Sequence, residues 1–72
     1  MPDRILIVDA EESAVQVVRQ YLLEEGIACE ALSSAKEALE LLEWERFSLL
    51  IMELELPDMP GLELLRRASM VD

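Results

Sequence analysis

Six carboxylates carry most of what this chain could do chemically: Asp9, Glu11 and Glu12 near its start, and Glu53, Glu55 and Asp58 after a long apolar run. Oxygen ligands of this kind suit hard divalent cations, and crowded carboxylates raise one another's pKa until a cation relieves the repulsion. Weak Mg²⁺ or Ca²⁺ binding is therefore the chemistry the set implies. A metal-free alternative exists for Glu11 and Glu12, because the first turn of a helix favours acids. Other chemistries lack parts. The absence of His removes His–Ser and Cys–His pairs and imidazole ligands for zinc. Gly26 and Gly61 lie too far apart for a phosphate-cradling loop. The one lysine, Lys36, falls in a helix pattern, and Cys29 has no second cysteine to bridge to. A reducing cytoplasm and a small, buried, unreactive thiol are the expectations for Cys29. The chain reads as a non-enzyme.

With 72 residues there is room for one domain, 1–72. A chain of this size buries only about 60% of its unfolded surface, so it sits near the lower limit for folding alone. Its 53% apolar content is high for so small a domain and points to an interface. Six basic against sixteen acidic residues give 6 − 16 = −10. Such a surface repels nucleic acid and anionic lipid, which are bound through Lys and Arg, and it favours solubility. No apolar run reaches 18 residues and no signal peptide precedes the first strand pattern, so neither a membrane span nor export is expected.

The elements that must position the acids follow from periodicity. "RILIVD" (4–9) is a strand covered on both faces and ends on Asp9. Ala14, Val17, Val18, Tyr21 and Leu22 make one helical stripe, closed by Gly26 in the left-handed position after the helix. "IACEAL" (27–32) is a second strand. Ser34 and Glu37 form a reciprocal N-terminal cap for a helix whose inward residues are Ala35, Ala38, Leu39 and Leu42. Trp44 and Phe47 are expected to cover the end of the core. "SLLIMEL" (48–54) is a third strand with Glu53 at its end, and Pro57, Asp58, Pro60 and Gly61 make a turn. A last helix begins with Leu62, Leu64, Leu65 and Ala68, and Arg66 and Arg67 are expected to complement its C-terminal dipole. The order β-α-β-α-β-α implies right-handed crossovers and a parallel sheet, with function gathered beyond the strands' C-terminal ends.

The stretches "ILIVDAEES", "SSAKEALELLE" and "FSLLIMELELPDMPGLELLRR" resemble the first part of a bacterial response-regulator receiver domain. The resemblance covers essentially the whole chain. It implies a flavodoxin-like sheet, here in the order 2-1-3, with three of the family's five βα units. It also implies a two-component, phosphorelay setting. In that family an acidic pair after strand one and an Asp ending strand three hold Mg²⁺, and the latter accepts a phosphoryl group from a kinase phosphohistidine. Asp9 matches the first acid of the pair. Ala10 stands at the second, where a methyl group cannot ligate. Glu53 stands at the phosphoacceptor position, and its extra methylene moves the oxygen, where misplacement near 1 Å can cost roughly 10²-fold. Glu55 stands where the family offers a backbone carbonyl to the metal.

The resemblance thus implies a degenerate receiver-like signalling module that works by protein–protein association without accepting phosphate. A phosphate-mimicking Glu53, a phospho-accepting fragment, a decoy that binds a histidine kinase through the first helix, and a designed half-fold are the alternatives. With three strands, the third becomes an edge with no Lys and no internal Pro. Leu49, Leu50, Ile51, Met52 and Leu54 are then expected to form a homodimer edge, antiparallel to their mates in a sheet 2-1-3-3′-1′-2′. Helix-face packing or another polypeptide supplying the missing half are the other ways to cover it.

Overall fold

Strand β1 (Arg4–Val8) lies at the centre of the molecule, and its four consecutive apolar residues Ile5 to Val8 are all buried. The structure, a computed structural model, describes residues 4–71; residues 1–3 and 72 of the expected domain lie outside the described residues. After β1 come α1 (Glu12–Glu24), β2 (Ala28–Leu32), α2 (Ala35–Leu42), β3 (Leu49–Met52) and α3 (Gly61–Val71). The sheet is parallel with the order β2-β1-β3, as expected. Register runs from Arg4 opposite Ala28 to Val8 opposite Leu32, and from Ile5 opposite Leu49 to Val8 opposite Met52.

Alternation along β1 divides the interior in two. Leu6 and Val8 face α2 and α3, packing with Ala35, Ala38, Leu56 and Leu64. Ile5 and Ile7 face α1, packing with Val15 and Leu22. Each fully buried aliphatic side chain of this kind stabilises the fold by about 1.5–3 kcal/mol relative to exposure.

The end of α1 explains the start of β2. Gly26 takes φ 74°, its N–H donates to the Leu23 carbonyl, and the Ile27 N–H donates back to the Leu22 carbonyl at 2.9 Å. This paired closure is the Schellman motif, and Ile27 and Leu22 share the same apolar cluster, as the motif favours. Ile27 therefore belongs to the turn, and β2 begins at Ala28.

Several sequence expectations shift. The inward stripe of α1 is Val15, Val18 and Leu22, whereas Ala14 is exposed and Val17 and Tyr21 are 72% and 64% exposed. Apolar residues spread over too wide an arc of this helix for one contact, and Val15 won the core side. Strand β3 ends at Met52, so Glu53 and Leu54 lie beyond it. Trp44 does not cover the core: it is 85% exposed, while Phe47 packs inward beneath the Arg4 guanidinium, 4.6 Å from its ring centre. Cys29 is only partly buried. Leu62 and Leu65 stand on the outer side of α3, and Leu64 alone of the three is enclosed. Arg66 and Arg67 serve no helix end; both clamp Glu63, at 2.6 and 2.7 Å.

Candidate functional site: the carboxylate rim

Glu53 begins where strand pairing stops. Its N–H donates to the Val8 carbonyl at 2.9 Å, the last rung between β1 and β3, and Asp9 follows Val8 on the neighbouring strand. The topology thus sets Asp9 and Glu53 just past adjacent strand ends, at the rim where parallel sheets carry their sites.

Their side chains are occupied locally. The Glu53 carboxylate turns back to accept its own neighbour's N–H, Leu54, at 2.9 Å. Asp9 Oδ1 accepts the Glu11 N–H at 2.9 Å, shaping the turn into α1, while the Asp9 N–H donates to Leu32. Glu11 precedes the helix with no cap bond from its side chain and instead accepts from the Ser13 hydroxyl at 3.1 Å. Glu12 lies in the first turn of α1, as the helix dipole favours. Ala10 is exposed between Asp9 and Glu11.

The loop after Glu53 is tightly drawn. The Gly61 N–H donates to the Leu54 carbonyl at 2.7 Å, and Glu55 pairs with Pro60 across the turn. A Cβ on Gly61 would sit 2.3 Å from the Glu53 carbonyl oxygen, so glycine is required here for close approach.

Asp58 leaves the rim for a structural task that sequence reading missed. Its two carboxylate oxygens accept the Ala35 and Lys36 N–H groups at 2.9 and 2.8 Å, satisfying free donors at the start of α2. These bonds, Ala35's first, hold the Asp58 carboxyl below its ordinary value. Ser34 accepts the Glu37 N–H, but Glu37 takes the Ser34 hydroxyl, so the expected reciprocal cap is only half formed. A bond spanning 23 positions leaves no local signature to read.

The six acids therefore divide among separate duties. Among the described residues, no three Asp, Glu or Cys side chains gather as a metal-holding group. The cation that the resemblance implies would find an incomplete donor set, since Ala10 offers no oxygen beyond its backbone, while Asp9 Oδ1 and Glu53 Oε1 each accept one backbone N–H.

The model of the response regulator receiver domain matches residues 5–70. The chain belongs to the response regulator receiver family. Among its solved relatives is a CheY-like receiver domain protein from Methanospirillum hungatei, 38% identical with a TM-score of 0.93, covering 99% of this chain and 57% of that one. An uncharacterized 14.6 kDa protein from Leptolyngbya boryana is 40% identical over 63 residues, 88% of this chain and 48% of its own length. The transcriptional regulatory protein PmrA of Pectobacterium parmentieri is 39% identical over 64 residues, 29% of its length. This receiver chain spans about half of the first relative and less than a third of the second. Among its described residues, no helix is long and apolar enough to cross a membrane.

Proposed function

We propose that this chain is a signalling module of the two-component type that acts by associating with protein and does not accept phosphate at Glu53. The observation that carries this reading is the pairing of Ala10 at the second acid position with a Glu53 carboxylate folded onto Leu54. Phosphoryl transfer to a carboxylate needs a free oxygen in line with phosphorus and a cation to neutralise the moving charge. Here one Glu53 oxygen accepts the Leu54 N–H, and Ala10 offers a cation no side-chain ligand. Mg²⁺ or Ca²⁺ binds weakly at most, through Asp9 and the Glu55 carbonyl. The partner is a second copy of the chain, with a histidine kinase as the rival partner. A net charge of −10 opposes nucleic acid and anionic membranes, and the module works in the cytoplasm.

Incubation with acetyl phosphate and Mg²⁺, followed by intact mass measurement, tests the reading. The expected spectrum holds unmodified protein only; a stoichiometric phosphoryl adduct on Glu53 contradicts it. The double variant Ala10→Asp/Glu53→Asp is expected to bind Mg²⁺ at least about tenfold more tightly than the parent by calorimetry.

A further inference from the structure

The start of α2 is closed from two directions. The first N–H groups of a helix have no partner inside it and must be met from elsewhere. One of them, Glu37, is met locally by the Ser34 hydroxyl at 3.3 Å. Ala35 and Lys36 are met from far along the chain, by the two oxygens of Asp58 at 2.9 and 2.8 Å, across 23 and 22 positions. Helix α2 therefore borrows half of its first turn from the loop that follows β3.

That loop is built to resist bending. Pro57 and Pro60 each fix one backbone angle on either side of Asp58. The Gly61 N–H donates to the Leu54 carbonyl at 2.7 Å, and Glu55 bridges to Pro60. Leu56 is buried in the same cluster as Ala35 and Ala38, and Met59 packs against it. At the far end, Gly61 lies so close to the Glu53 carbonyl that no Cβ could fit between them. A loop closed on itself in this way moves as a body. Its hold on α2 is nonetheless open to water: Asp58 is exposed, as is its bond to Lys36, and only the bond to Ala35 is partly buried. Solvent-exposed backbone hydrogen bonds mark segments that open locally before the whole fold does.

We infer that Asp58 is a latch that makes the start of α2 and the loop from Glu53 to Gly61 open and close as one unit, so that a displacement at the carboxylate rim is carried to α2. Asp58 acts here as a positioning residue. By reciprocity, whatever steadies the rim loop also steadies the first turn of α2, and whatever grips that turn steadies the loop. A simple cap would satisfy the two N–H groups and do no more. The inference stands apart from the association reading above and from whether Glu53 accepts phosphate.

Amide hydrogen exchange on the full chain, resolved by residue, separates a latch from a cap. Rates are read against the Leu6 amide in the central strand, which distinguishes local opening from a general loss of stability. In the parent, the Ala35, Lys36 and Gly61 amides are expected to share one opening, with protection agreeing within about threefold and falling together as urea is added. Asp58→Ala is expected to speed exchange at all three by at least about tenfold, the effect of losing hydrogen bonds to a charged group. Asp58→Asn keeps one acceptor oxygen and restores protection at one of the two α2 amides. Ser34→Ala frees the Glu37 amide and leaves Gly61 unchanged. Faster exchange confined to Ala35 and Lys36 makes Asp58 a cap and overturns the inference. An equal response of Gly61 to Ser34→Ala also overturns it. Should Asp58→Ala fail to fold, the urea series on the parent decides: separate openings for Ala35 and Gly61 contradict the latch, and a single opening supports it.

Discussion

Both outer strands of this sheet border open space, yet they are written differently. Strand β2 carries Glu30 at its middle, in an ion pair with Arg4 at 3.7 Å, and the polar flank of α1 leans over its C-terminal end. Charged side chains and an overlying helix are the usual protections of a strand that ends a sheet. Strand β3 reads Leu-Leu-Ile-Met, and its Leu49 is 53% exposed. One border is finished for water and the other is not. At the carboxylate rim, Asp9 and Glu53 each accept a nearby backbone N–H, and Ala10 stands between Asp9 and Glu11.

The contrast can be broken most severely from beneath β3. Leu64 is fully enclosed, so Leu64→Ala is expected to cost about 2–5 kcal/mol, read by urea unfolding at fixed protein concentration. Next, Gly61→Ala pushes the Glu53–Leu54 backbone away from the new Cβ and is expected to cost about 1–3 kcal/mol in the same assay. A direct comparison of the two borders uses one substitution on each. Leu49→Lys is expected to weaken self-association by at least tenfold, about 1.4 kcal/mol, whereas Ala28→Lys on β2 leaves it unchanged. The smallest effect is acid dependence. Hydrogen bonds from Arg66, then Arg67, lower Glu63 from 4.5 to about 2, and Asp58 is also lowered. Groups with depressed folded values contribute in full above their unfolded pKa and lose that contribution as pH falls through the folded one. Both pairs are solvent-facing, so the effect is modest. Thermal melts of the parent between pH 4.5 and 2 should fall more steeply than those of Glu63→Gln; parallel curves would assign the clamp no stabilising role.

Much of this was legible in the residues. Unbroken apolar runs in β1 and β3 announced parallel strands, although only the β1 run is buried and Leu49 of β3 is exposed, and Gly26 announced the end of α1. What was hidden depended on distance or competition. Asp58 reaches α2 across 23 positions, which no local pattern encodes. On α1, seven apolar residues between Ala14 and Leu23 exceed what one packing surface can take, so sequence could not say which stripe faced inward. The tertiary fit chose Val15 over Val17. Trp44 misled for a related reason, since size and apolarity favour burial only where the fold offers a cavity.

Mass in solution at low micromolar concentration, taken together with a cooperative melt, tests the apolar border most directly. A folded species of about 16 kDa, twice the 8.2 kDa chain, is the expected result, dissociating and unfolding together on dilution. A compact 8.2 kDa monomer with an unchanged melt at every concentration would contradict it.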